Sequence, residues 1–173
     1  MAGPVRLFAL DVDGVLTDGS LFYSADGEDM KAFNAHDGLG LVLLKRLGVE
    51  IAVISGRDSK PLNQRLDDLS VRYRRLGSSD KVVALQDVCD DMKITMSDVA
   101  FMGDDLIDLR AMEAAGFALA PANAVAAVKA AADHVTKRSG GKGAVREACE
   151  LLAEQMGASL EDAMRGVRKT LVQ

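Results

Sequence analysis

At 173 residues, with 49% hydrophobic and 27% charged residues and a net charge of −5, the chain has the size and balance of one globular domain with a full core, residues 1–173. An aromatic content of 4% without tryptophan, joined to the acidic balance, argues against a base-stacking platform and against non-specific binding to nucleic-acid backbones. No apolar run approaches the roughly 20 residues that cross a membrane, and the first residues lack a secretory signal's layout, so the expectation is a cytoplasmic protein.

Residues 5–10 read as a buried strand, short, apolar and stopped by Asp11 and Asp13. Residues 21–23 and 30–33 bracket Ser24-Ala25-Asp26-Gly27-Glu28-Asp29, whose Asp-Gly turn signal predicts a β-hairpin within about residues 20–34. Its apolar residues Leu21, Phe22, Tyr23, Met30 and Phe33 suit a flap that covers a site or packs on another subunit. The spacing of Leu39, Val42, Leu43 and Leu47 predicts a helix over 38–47, ended by Gly48. A second buried strand over 49–54 runs into Ser55-Gly56-Arg57. A helix over 59–69 follows, with Pro61 tolerated in its first turn. A short strand over 71–76 comes next, then Gly77-Ser78-Ser79-Asp80-Lys81 leads into a helix over 82–92. The strand over 99–102 ends at Gly103-Asp104-Asp105 and is followed by a helix over 107–115 and a strand over 117–120. An alanine-rich helix over 123–132, a brief strand over 134–136 and a closing helix over 144–156 complete the pattern, before a weakly amphipathic tail after Gly157. Cys89 and Cys149 lie far apart in apolar helical contexts and are expected to be buried free thiols rather than a disulfide.

Strands alternating with helices predict an α/β fold, a doubly wound parallel sheet with helices on both faces. Ligands in such sheets bind beyond the carboxyl ends of the strands, where Asp11, Asp13, Ser55, Asp104 and Asp105 all fall. Residues two apart on a strand point the same way, so Asp11 and Asp13 can face one site, although Asp-x-Asp-Gly alone equally fits a strand with a turn. Crowded carboxylates need a cation, and oxygen-only ligands suit magnesium. One carboxylate can attack phosphorus, while a second protonates the leaving alcohol and later deprotonates water. Taken singly, Asp104-Asp105 also suits a helix N-cap, Ser55-Gly56 a turn and Lys81 an exposed surface. Their conjunction, in this order and each at a strand or loop edge, points to a single phosphate site.

That order resembles the haloacid dehalogenase superfamily of phosphotransferases. The motifs are Asp11-Val12-Asp13-Gly14-Val15, Ser55-Gly56-Arg57, Lys81 and Gly103-Asp104-Asp105-Leu106-Ile107-Asp108. The resemblance implies a Rossmann-like core in which Asp11 is the nucleophile of an aspartyl-phosphate and Asp13 the general acid and base. It implies magnesium held by Asp11, the backbone carbonyl of Asp13 and Asp104, with Asp105 and Asp108 in support, and a phosphoryl group held by Ser55, Gly56 and Lys81. Only the hairpin separates the first two motifs, so the chain looks like the small cap-less branch. Four stretches liken it further to that branch's phosphatases for acidic sugar phosphates. They are Leu16-Thr17-Asp18-Gly19, residues 31–38 from Lys31 to Gly38, Gly77-Ser78-Ser79-Asp80-Lys81, and residues 140–147 from Gly140 to Glu147. This likeness implies a homotetramer whose hairpins form a central barrel and whose active sites lie near subunit interfaces.

The implied substrate carries a carboxylate as well as a phosphate. Arg57 offers a planar fork for the carboxylate, Arg65 supports it, and His36 and Asp37 approach the sugar or metal-bound water. An arginine at 57, where relatives acting on nonulosonate 9-phosphates tend to carry glutamate, favours an octulosonate 8-phosphate, a precursor in lipopolysaccharide synthesis. The alternatives are a phosphatase for a nonulosonate 9-phosphate, or a non-catalytic oligomerising domain, which the intact Asp11, Asp13, Lys81 and Asp104 oppose. The segment Arg138-Ser139-Gly140-Gly141-Lys142-Gly143 resembles the family's C-terminal tail and is expected to fold over a neighbouring active site.

Overall fold

The computed structural model describes residues 5–25 and 27–166. Strand β1 (Leu7–Leu10) runs at the centre of a six-stranded parallel sheet. On one side lie β4 (Glu50–Ile54) and then β5 (Tyr73–Arg75); on the other lie β6 (Val99–Met102), β7 (Phe117–Ala120) and β8 (His134–Val135). Both faces are covered, which is why β1, β6, β7 and β4 after Glu50 are continuous apolar runs. Side chains alternate between two cores. Phe8, Leu10, Ile51, Val53 and Met102 pack with α1 (Ala35–Arg46), α2 (Lys60–Asp68), α6 (Ala144–Gln155) and α7 (Leu160–Met164). Leu7, Ala9, Ala52, Ile54 and Phe101 pack with α3 (Lys81–Met92), α4 (Leu109–Ala114) and α5 (Ala126–Ala131). The chain leaves β1 toward β4 and β5, then crosses to β6. The carboxyl end of β1 is therefore the switch point at which doubly wound sheets bind ligands.

At three helix starts the boundary differs from the predicted one because a side chain is drawn into a cap or a bridge. The helix expected from Gly38 begins at Ala35, because Asn34 caps it by accepting from the His36 amide at 2.8 Å. Its glycines are tolerated for packing. A Cβ at Gly38 would land on the Arg65 guanidinium, and one at Gly40 would come within 3.3 Å of the Arg146 backbone, so α1 lies close on α2 and α6. The helix expected from residue 107 opens as a 3₁₀ turn, Leu106–Asp108, because Asp105 and Asp108 cap it reciprocally. The helix expected from Asn123 begins at Ala126, since the Asn123 side chain bridges two loops instead.

The hairpin is an antiparallel pair, β2 (Phe22–Ser24) and β3 (Gly27–Met30), forming a sheet of its own. It ends at Met30 rather than running to 33, and Phe22, Tyr23 and Met30 are exposed. Cys89 and Cys149 are buried free thiols, as expected. In the tail, Leu160 and Ala163 of α7 are buried under a capping box formed by Ser159 and Asp162; the expected tail beyond residue 166 lies outside the described residues. Among the described residues, no helix is long and apolar enough to cross a membrane.

Candidate active site

Asp11 leaves β1 but stays tied to the sheet, its amide donating to Met102 O at 3.0 Å. Beyond it the chain closes a tight loop: the Thr17 amide and hydroxyl both donate to Val12 O, and Thr17 Oγ1 accepts from the amides of Gly14 and Gly19. Gly14 has φ +89°, and a Cβ there would overlap the Asp104 carboxylate, so backbone and acid sit against each other as only glycine allows. Asn123 fixes the outer side of the loop, donating to Gly14 O at 2.9 Å and accepting from the Gly140 amide at 2.6 Å.

Lys81, the first residue of α3, is buried and places Nζ 2.8 Å from Asp11 Oδ1 and 2.5 Å from Asp108 Oδ1. The other Asp108 oxygen accepts from the amides of Asp104 at 2.9 Å and Asp105 at 3.2 Å, so this fully buried acid orients both the lysine and the loop after β6. Carboxylate oxygens of Asp11, Asp104 and Asp108 come within 4.8 Å of one another. Burial pushes the Asp11 carboxyl up to about 6, against the pull of Lys81 and with Asp108 adding to the rise. Burial, followed by the charges of Asp11, Asp108 and Asp105, pushes Asp104 up to about 7. Burial disfavours the Lys81 charge, yet Asp11 and Asp108 outweigh it and hold its pKa above the ordinary lysine value. Asp104 Oδ1 is buried with no hydrogen-bond partner among the described residues. A strained carboxylate cluster with one such oxygen fits a hard divalent cation.

Ser55 follows β4 and is buried, with its amide donating to Arg75 O at 3.0 Å and its Oγ accepting from the Arg57 amide at 3.1 Å. Gly56 beside it is exposed, with room for a Cβ in ordinary contact with Ser78 O. Asp13 projects toward the hairpin. Its Oδ1 accepts from Lys31 Nζ at 2.5 Å, its Oδ2 lies 3.5 Å from Arg57 Nε, and Arg57 Nη1 donates to the Tyr23 hydroxyl at 2.8 Å. Lys31 is the site residue that sequence reasoning passed over. Its signal was a lysine set among Met30, Ala32 and Phe33 in the second flank of the predicted hairpin.

Other expected residues take different places. Asp37 is buried, and its carboxylate accepts from the amides of Gly143 at 3.3 Å and Arg146 at 2.8 Å, so it caps α6 rather than facing the site. Arg65 donates to Asn34 O at 3.3 Å and lies 5.7 Å from the Phe33 ring centroid, which makes it a clamp on the start of α1. His36 is exposed in the first turn of α1. Asp105 is exposed and caps the 3₁₀ turn. The glycine-rich segment packs on the Gly14 loop of its own chain: Gly141 donates to Val15 O at 3.1 Å and accepts from Asn34 Nδ2 at 3.4 Å. The approach is close enough that a Cβ on Gly140 would strike Gly14 O.

A doubly wound sheet whose central strand ends in Asp11, with Ser55, Lys81 and Asp104 at the neighbouring carboxyl ends, defines a haloacid dehalogenase-like hydrolase; the family profile of that description matches residues 77–148. The chain is 40% identical over 168 residues to 3-deoxy-D-manno-octulosonate 8-phosphate phosphatase KdsC of Haemophilus influenzae, covering 96% of this chain and 93% of that protein. The Escherichia coli K12 protein of the same name is 41% identical over 153 residues, covering 88% of this chain and 81% of that one. Among solved structures, the cobalt-bound deoxy-D-mannose-octulosonate 8-phosphate phosphatase of H. influenzae superposes with a TM-score of 0.89 at 41% identity, covering 94% of this chain and 95% of that one. The Moraxella catarrhalis phosphatase in complex with magnesium, phosphate and KDO gives 0.84 at 41% identity, covering 87% and 86%. The chain belongs to the 3-deoxy-D-manno-octulosonate 8-phosphate phosphatase family.

Proposed function

We propose that this protein is a magnesium-dependent phosphomonoesterase that hydrolyses 3-deoxy-D-manno-octulosonate 8-phosphate to the free sugar acid and phosphate. The observation that carries the reading is Asp11 itself: a buried carboxylate at the switch point, gripped by Lys81 at 2.8 Å and facing Asp104. Asp11, Asp104 and the Asp13 backbone carbonyl would hold magnesium, with Asp108 and Asp105 ordering the loop that carries Asp104. When bound, the ion offsets repulsion between the carboxylates and an anionic phosphoryl group.

The chain's own residues then divide the work. Lys81, Ser55 Oγ and the Gly56 amide hold the phosphoryl oxygens. Asp11 attacks phosphorus, forming an aspartyl-phosphate as the bond to the sugar oxygen breaks, and Asp13 gives that oxygen its proton. Asp13, now ionised, takes a proton from water, which attacks phosphorus and releases Asp11. Arg57, half exposed at the mouth beside Asp13 and the Tyr23 hydroxyl, carries a planar fork suited to the sugar carboxylate. The exposed apolar side chains Phe22, Tyr23 and Met30 support burial of the hairpin in a homotetramer. In that reading residues 1–173 act as one cytoplasmic domain supplying a lipopolysaccharide precursor.

The test is phosphate release from the octulosonate 8-phosphate and from a nonulosonate 9-phosphate, each with and without magnesium. The expected result is magnesium-dependent turnover with higher kcat/KM on the octulosonate ester. Faster hydrolysis of the nonulosonate ester, or magnesium-dependent release retained by Asp11→Asn, overturns it.

A further inference from the structure

Asp13 is held by the hairpin rather than by the sheet. Lys31 directly follows β3 and reaches back 18 positions to Asp13 Oδ1 at 2.5 Å. Its side chain is 1% exposed, whereas Asp13 is 21% exposed and Arg57, near the second oxygen, 46% exposed. The two cations on this carboxylate are therefore unlike. Lys31 is a fixed post whose stem is enclosed by protein, and a buried ammonium keeps its charge by keeping its carboxylate. Arg57 sits farther off, at 3.5 Å, and already divides its guanidinium with the Tyr23 hydroxyl.

We infer that Lys31 is the positioning residue for the acid–base Asp13, pinning Oδ1 so that Oδ2 is the oxygen that exchanges the proton. The inference rests on the phosphatase reading above. Oδ1 accepts from Lys31 whether Asp13 is a carboxylate or a carboxylic acid, so the grip persists through both halves of the reaction. Oδ2 is left to carry the proton to the sugar oxygen and later to take one from water. Its other neighbour, Arg57, is exposed enough to turn toward a substrate anion. A lysine at this place does not touch the phosphoryl group, which belongs to Lys81 and Ser55. Its effect on the reaction passes through Asp13, and through the hairpin, since any displacement of β3 moves Nζ and with it the acid.

This division gives a readout that a merely structural role would not move. Protonation of the departing oxygen matters for an alkoxide leaving group and little for a nitrophenolate, and kcat/KM reports steps through formation of the aspartyl-phosphate. Lys31→Met, Lys31→Arg and Asp13→Asn should be compared with the wild type on the octulosonate ester and on p-nitrophenyl phosphate, with magnesium present and melting temperatures recorded. For Lys31→Met the expected loss in kcat/KM is about 10- to 100-fold on the sugar ester and under about 3-fold on the aryl ester. Asp13→Asn should show the same selectivity more strongly, and Lys31→Arg should restore much of the loss. Equal losses on both esters by Lys31→Met, or no loss on either, while Asp13→Asn discriminates between them, overturns the role given to Lys31. Absence of wild-type activity on the sugar ester would instead overturn the phosphatase reading.

Discussion

Replacing Asp37 by alanine should lower the melting temperature by about 10 °C, and the size of the effect can be worked from its bonds. Asp37 lies in the first turn of α1, and its carboxylate also meets the first turn of α6, whose own N-cap, Gly143, has no side chain to offer. Alanine leaves the Gly143 and Arg146 amides without their acceptor. Each orphaned amide costs about 1–3 kcal/mol when shielded from water, and the lost charge at a helix N-terminus adds about 0.3–1 kcal/mol. The sum is roughly 2–7 kcal/mol, centred on about 4, and a chain of this length loses about 2–4 °C per kcal/mol. Asparagine should behave differently. Burial holds the Asp37 pKa above the ordinary carboxylate range despite its two backbone bonds, so a neutral amide escapes the desolvation cost and keeps one acceptor. The expected loss for Asp37→Asn is about 1–2 kcal/mol, with turnover near that of the wild type. Differential scanning calorimetry paired with phosphate release separates the roles. An alanine variant that melts with the wild type refutes the capping argument. An asparagine variant that melts normally but loses turnover returns Asp37 to the substrate site.

Three further outcomes follow from the carboxylate cluster. Gly14→Ala should cost about 100-fold in kcat, since its Cβ displaces Asp104 and its φ of +89° is strained for alanine; unaltered turnover would show that the loop relaxes freely. The metal-free protein should become less stable as pH rises, because Asp11 and Asp104 titrate near 6 and 7 when folded, above the 3.8 of the unfolded chain, and the folded state binds the extra protons. Magnesium needs both carboxylates ionised, so the rise in melting temperature it gives should be several degrees at about pH 8 and small at about pH 5.5. An equal rise at both pH values would mean that these acids do not hold the ion.

The central strand, its acids and the order of elements were legible because each rests on local signals: an apolar run cut by Asp11, a glycine after a strand, a Gly-Ser-Ser-Asp-Lys loop leading into a helix. The places where reading failed were fixed by residues far apart in sequence. Asp37 lies beside a catalytic-looking His36 and Gly38, and nothing nearby in sequence reveals that its partners are the amides of Gly143 and Arg146. Arg65 has a helical spacing from Arg57 that suggests one surface, yet it closes on Phe33 and Asn34. Asn123 fits a helix start by residue type, and only the approach of Gly14 and Gly140 takes its side chain away. Lys31 was invisible for the converse reason: a lysine at a hairpin's end is ordinary until the fold places Asp13 over it.

The seal that Asn123 and Gly140 place on the Gly14 loop bears on how the enzyme comes into being. Asn123 lies 109 residues beyond Gly14, and the Asn34 bond to Gly141 spans 107. Asp11 thus leaves the ribosome long before Asn123 and Gly140, and the loop beyond it cannot be closed until they have followed. Even β1 waits, since its neighbours β4 and β6 both come later. A nascent chain therefore carries Asp11 and Asp13 long before the bonds that close the loop around them can form.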